Sequence, residues 1–226
     1  MTVPPIKGLQ MTDKQLDKHL KRFIGKSNTR EFLQKGYTNG NTIYATDGHK
    51  LLKIVEPKEL IQSELVMIDD KHFNKFKNMN KTTIDSIANG SYHKIRLTRE
   101  SIKKLIEIIK LISKLTMLVE LEYDKEINQY ILRAKHYQYQ FNMETPIKLE
   151  YTLTSFVFCS DDNKIQSTDN KILLNAQYIQ YMLEFAYGNK DEYIEMYVPN
   201  DSKLKPIAIF GIDHTFSIIL LPVRPN

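Results

Sequence analysis

Apolar residues recur three and four positions apart in three stretches of the chain, the spacing of a single helical face. The first opens at Thr12, an N-cap with Gln15 placed for a capping box, and carries Leu16, Leu20, Phe23 and Ile24 on one stripe. The second runs from Thr98 to about Leu115 and buries Ile102, Leu105, Ile106, Ile109 and Ile112. The third runs from Asn175 to Tyr187 with Ile179, Met182, Leu183 and Ala186 inward. A fourth, shorter helix capped by Asp69 or Asp70 would bury Phe73 and Phe76.

Between them the period falls to two. In 41–55, Ile43 and Ala45 alternate with Thr42, Tyr44 and Thr46, which suits a half-buried strand. Asp47-Gly48 supplies a turn, and Leu51, Leu52, Ile54 and Val55 form the return strand up to Pro57. The same reading predicts strands at 30–37, ahead of an Asn39-Gly40 turn, and at 65–68. It predicts a hairpin of 82–88 with 92–97 about Asn89-Gly90. Further strands fall at 117–123, 130–134, 137–141, 149–158, 172–174, 193–198 and 206–210, and a final strand ends in 218–224. The order helix, strands, helix, strands thus occurs twice, a repeat of architecture without a residue-level period. The expected class is α+β, with helices packed on antiparallel sheets and a boundary near Gly90 to Lys94, giving domains 1–93 and 94–226.

A chain of 226 residues with 42% hydrophobic content holds a substantial core. Its one cysteine, Cys159, rules out an internal disulfide framework, fits a reducing cytoplasm and reads as a small buried hydrophobe in Ser155-Phe-Val-Phe-Cys159. No run approaches a membrane span, so no membrane partner is expected. Net charge is +5, and the first 93 residues hold all of the excess, 15 Lys/Arg against 10 Asp/Glu. Lys14, Lys18, Lys21, Arg22 and Lys26 project from the first helix opposite its apolar stripe. Arg99, Lys103, Lys110 and Lys114 do so from the second, with Lys104 at its flank. The third carries no cation, and Glu120, Glu122, Asp124 and Glu126 make one strand acidic. Cations on two helices fit either a solvated amphipathic surface or a polyanionic partner.

No catalytic constellation stands out. Asp47, His49, Asp69, Asp70 and His72 match no metal-ligand spacing, and the dense lysine background opposes a cation. The expectation is a protein without enzymatic activity, metal or cofactor.

Ala45-Thr-Asp-Gly-His-Lys-Leu51 resembles the Ala-Thr-Asp-Gly-His-Arg-Leu turn of bacterial DNA sliding clamps, the ring-shaped processivity factors of replicative polymerases. The C-terminus, Ile218-Ile-Leu-Leu-Pro-Val-Arg224, resembles that family's closing Met-Pro-Met-Arg, and the order of elements from Lys171 onward is similar to its last half-domain. The resemblance implies tandem clamp domains in a ring around duplex DNA, bound without sequence preference through the ten cations named above. The alternative is a monomeric clamp-fold DNA-binding or regulatory module. The family's bacterial members carry three domains and close as dimers. Two domains imply a homotrimer, as in eukaryotic, archaeal and some phage clamps, and a phage or mobile-element origin, with the protein cytoplasmic (in the host cytoplasm if phage-encoded). The resemblance also implies a pocket for a short peptide of a DNA polymerase or clamp loader. Its walls would be Thr46, Gly48, His49, Lys50 and Leu51 on one side and Leu221, Pro222, Val223 and Arg224 on the other. Lys50 stands where the family has Arg, keeping charge and stem but losing a planar fork.

Overall fold

Helix α1 (Asp13–Phe23) begins where the sequence says it must. The Thr12 side chain accepts from the Gln15 amide, and the Gln15 side chain answers on the Thr12 amide. It is the first of four helices among 12 strands in a computed structural model that describes residues 9–26, 30–55, 65–67, 70–124, 129–135, 150–153 and 171–224. Leu16, Leu20 and Phe23 are buried as expected. Beyond α1, residues 31–33 form a short 3-10 turn, and only Tyr37–Thr38 (β1) is strand. The predicted strand at 30–37 is thereby corrected. Phe32 turns inward to stack on Phe76 at 5.1 Å, and the Leu33 carbonyl accepts from the Gly25 amide at 2.6 Å, which a straight strand would not permit.

Thr42–Thr46 (β2) and Lys50–Val55 (β3) form the predicted hairpin, with Ala45 opposite Leu52. Both faces are covered rather than one: Ile43 and Ala45 join the main core, while Tyr44, 2% exposed, enters a second cluster on the other face. Val66–Met67 (β4) lies parallel to β1.

The element covering that second face is helix α2 (Asp70–Ala88). It absorbs residues 82–88, predicted to be strand. Two hydroxyls that argue against a helix are satisfied within it, since Thr82 Oγ1 donates to the Asn78 carbonyl at 3.0 Å and Ser86 Oγ to the Thr82 carbonyl at 2.9 Å. Phe76, Asn80 and Thr83 share its buried face, and Phe73 and Ile87 flank them. The Asn89-Gly90 pair ends the helix instead of turning a hairpin, with Gly90 at φ +75°.

The second half repeats one motif twice. Tyr92–Thr98 (β5) leads to α3 (Arg99–Leu115) and then Leu118–Asp124 (β6), Gln129–Lys135 (β7) and Glu150–Leu153 (β8). Lys171–Asn175 (β9) leads to α4 (Ala176–Gly188) and then Tyr193–Pro199 (β10), Ile207–Phe210 (β11) and Phe216–Leu220 (β12). Each repeat lends its first strand to the other's sheet: β5 pairs β10 and β9 pairs β6. The predicted stripes of α3 and α4 are buried as expected.

Two sheets result, an eight-stranded one in the order β4-β1-β2-β3-β12-β11-β10-β5 and a four-stranded one in the order β8-β7-β6-β9. The larger joins strands from both halves of the chain through the antiparallel β3–β12 pair. Helices α1, α3 and α4 contribute to the core on one face of it, and α2 covers the other. Phe185 of α4 ties the halves together, edge-on to Phe23 and His19 of α1 and to Phe216 of β12. Pro57, Asp69, Cys159, the strand at 137–141 and the ends of the strand at 149–158 lie outside the described residues.

Candidate partner site and candidate nucleic-acid interface

The Thr46-Asp-Gly-His-Lys50 stretch builds its own turn. Asp47 Oδ1 accepts from the His49 and Lys50 amides at 2.9 and 3.0 Å. Thr46 Oγ1 accepts from the Gly48 amide at 3.0 Å and donates to the Lys50 carbonyl at 2.7 Å. Gly48 has φ +92°, so this position favours glycine on backbone grounds.

The turn and the C-terminal tail, far apart in sequence, meet in the fold. Leu220 registers with Lys50 at the end of β12, the Leu221 amide donates to the His49 carbonyl at 2.9 Å, and the Val223 amide donates to the Leu173 carbonyl of β9 at 2.8 Å. His49 and Arg224 are exposed, Leu221 is 38% exposed, and Gly48, Pro222 and Val223 are half-buried. These six are the members of the predicted set whose surface is accessible.

The other three positions do not offer side chains to a partner. Thr46 is buried inside the turn. Lys50 is 4% exposed, ion-paired to Asp47 and held over the Tyr178 ring at 4.1 Å. Burial lowers its ammonium pKa, and the Asp47 carboxylate opposes that shift. Leu51 is 2% exposed and packs with Tyr44, Phe76, Phe210 and Ile219 on the face that α2 covers. The expectation that Leu51 lines the pocket is therefore corrected: alternation along β3 sends it to the α2 side.

The residue missed from sequence is Tyr178 on α4. Its ring lies alongside His49 at 6.4 Å between centroids, and burial, then the Asp47 charge, push its hydroxyl up to about 12. It sits three residues after Asn175, whose side chain caps α4 by accepting from the Gln177 and Tyr178 amides. The third helix reads as free of cations and core-directed, so nothing in its pattern marked this flank.

The cations behave unequally. A groove of about 630 Å³ runs between α1, α3 and α4, and Lys18, Arg22, Lys103 and Lys110 line it with His19, Glu107, Gln180, Glu184 and Tyr187. The structure thus brings two cations from each basic helix to one surface. Arg22 and Lys110 both reach Glu184, Lys110 at 3.2 Å. Lys21 pairs with Asp17 at 2.8 Å beside a different groove, Lys104 pairs with Glu100 at 2.8 Å, and Lys14, Lys26 and Lys114 are exposed away from the groove lining. Arg99 is committed elsewhere, donating to the Tyr187 carbonyl at 2.9 Å and lying over that residue's ring. His19 in the groove wall is held neutral, its pKa lowered to about 4 by burial and then by Arg22. The acidic strand β6 alternates Glu120 and Glu122 with core residues Val119 and Leu121, away from the groove. Arg133 and Lys171 pair with Glu122.

No family model and no curated protein matches the sequence. Solved structures do match, over the whole of this chain and about two thirds of theirs. The beta subunit of the Streptococcus pyogenes DNA polymerase matches with a TM-score of 0.60 at 15% identity, covering 100% of this chain and 68% of that one. A sliding clamp, DNA polymerase III subunit beta, from Bartonella birtlesii bound to griselimycin gives 0.57 at 15% identity, 100% and 69%. The beta subunit of DNA polymerase III from Thermotoga maritima gives 0.56 at 14% identity, 100% and 68%. The chain is an α+β protein with the fold of the bacterial DNA sliding clamps.

Proposed function

We propose that this chain is a sliding clamp: a ring that encloses duplex DNA, tethers a DNA polymerase, and performs no chemistry of its own. The observation that carries the reading is the groove in which cations of α1 and α3 converge, on helices that pack against the main core. In this reading the groove lysines and arginines contact phosphates alone, giving a salt-dependent grip that leaves the duplex free to slide. Tethering makes polymerase rebinding intramolecular, which is the source of processivity. Residues 1–93 and 94–226 are the two domains of this reading, and three copies complete a six-domain ring. Exposed Leu111, Leu115 and Met117 at the end of α3 form an apolar surface suited to a neighbouring copy.

Partner peptides from a polymerase or loader dock where the turn and tail meet, on His49, Leu221, Pro222 and Val223, with Tyr178 as an added wall and Arg224 at the rim. The second reading, a monomeric DNA-binding module, draws on β4, whose two residues give an outer sheet edge little ladder to offer a neighbour.

The test is retention on duplex DNA across a salt series. Lys18→Glu with Lys103→Glu should weaken retention and flatten its salt dependence, with no sequence preference in either protein. Strong discrimination between duplexes of different sequence would refute the phosphate-only interface.

A further inference from the structure

Glu184 is the one charged residue of α4, and it stands between the two basic helices. Its Oε2 accepts from Arg22 of α1, while Oε1 lies 3.2 Å from Lys110 Nζ of α3 and accepts from Gln180 Nε2 at 3.0 Å. Burial alone would raise its carboxyl pKa. The Gln180, Lys110 and Arg22 contacts outweigh that and hold it below the usual carboxylate value. An ionised carboxylate gripped by a guanidinium and an ammonium presents to both what a phosphate presents: paired anionic oxygens at charge-assisted hydrogen-bond distance.

We propose that Glu184 is a built-in phosphate mimic that limits how tightly the groove holds DNA. With it in place Arg22 and Lys110 are already satisfied, and a duplex phosphate must displace a fixed carboxylate to engage either. Among the described residues Lys18 and Lys103 have no ion pair, so they remain for phosphate contact. The grip is then loose and easily renewed as the duplex moves, which is what sliding requires. This inference rests on the clamp reading and names the residue that sets its strength.

Glu107 is the internal control. It lines the same groove, is exposed, and has no ion pair among the described residues, so Glu107→Gln changes net charge by the same amount without freeing a cation. The experiment is fluorescence anisotropy of a random-sequence duplex titrated with wild type, Glu184→Gln and Glu107→Gln from 50 to about 300 mM salt, with melting temperatures measured alongside. Each newly engaged phosphate steepens the log–log salt slope by about 0.9. Glu184→Gln should steepen it by one to two contacts and tighten binding about tenfold near 0.1 M salt. Glu107→Gln should change affinity less than about threefold. A triple variant, Glu184→Gln with Arg22→Gln and Lys110→Gln, should return the slope to that of wild type or below. Equal effects of the two single variants, or a Glu184→Gln that only lowers the melting temperature, would overturn the proposal. A wild-type protein without salt-dependent duplex binding would overturn the clamp reading itself, and the proposal with it.

Discussion

Replacing Leu51 by alanine separates the wall of the partner site from the core beneath it. Leu51 belongs to the motif whose resemblance implies peptide contact, yet its side chain is 2% exposed, opposite Ile219 where β3 meets β12. It shares a cluster with Tyr44, Phe76 and Phe210 under α2. Truncation of a fully buried leucine costs about 2–5 kcal/mol, the lost transfer energy plus a cavity. Both sheet partners and α2 are held by further contacts here, including the buried Ser217 Oγ–Asn80 Oδ1 hydrogen bond of 3.1 Å. The site therefore collapses poorly, and about 3 kcal/mol is expected. With a urea m-value of about 3 kcal/mol/M, that lowers the midpoint by about 1 M. Circular dichroism during urea titration reads this. Calorimetry with a short peptide bearing a Leu-Phe anchor, at a temperature where both proteins are folded, should show affinity changed less than about threefold. A stability loss below about 1 kcal/mol together with a tenfold loss of peptide affinity would refute the assignment of Leu51 to the core.

Leu221→Ala should do the reverse, lowering peptide affinity by on the order of 2 kcal/mol with little change in urea midpoint, because Leu221 is 38% exposed. Deleting 221–226 should abolish that binding and also remove the Val223–Leu173 hydrogen bond. Gly48→Ala should cost about 1–2 kcal/mol by thermal melting, the penalty of positive φ, since its nearest non-neighbour atom, Leu33 Cδ1, would lie at an ordinary 3.6 Å from the new Cβ. His19 binds its proton near pH 6.5 when unfolded and near 4 when folded. The unfolded state therefore takes up more protons between those values, and stability falls as pH drops through that window, by up to about 3 kcal/mol. His19→Gln should flatten the melting temperature between pH 6.5 and 4, and an unchanged pH profile would show that His19 titrates normally. Asn80→Ala should cost about 1–3 kcal/mol by leaving the buried Ser217 hydroxyl without its acceptor, and no loss would place α2 elsewhere.

Local chemistry was legible wherever it decides the element. Thr12, Thr98 and Asn175 cap their helices as their side chains dictate, and Gly48 and Gly40 turn their strands at positive φ. The meeting of turn and tail was available only through resemblance, because nothing in spacing announces that residue 49 bonds residue 221. The failures share one cause, which is tertiary contact overriding local preference. Thr82 to Ala88 has β-branched residues that favour a strand, but its Thr83 and Ile87 continue the face begun by Phe76 and are buried or half-buried beneath it. Likewise the alternation in β2 and β3 reads as one wet face until α2 covers it. Charge was the least legible feature. Ten cations look equivalent in sequence, while the fold places four in the groove, ties two of those to Glu184 and commits Arg99 to Tyr187.

The claim that three copies of this chain close a ring is tested most directly by size-exclusion chromatography with light scattering at micromolar concentration. The account predicts a mass three times the 26.5 kDa of the chain, falling toward that of one chain in a Leu111→Arg, Leu115→Arg variant that removes exposed apolar surface. A wild-type protein that stays at 26.5 kDa at high concentration would contradict the ring and leave the monomeric module in its place.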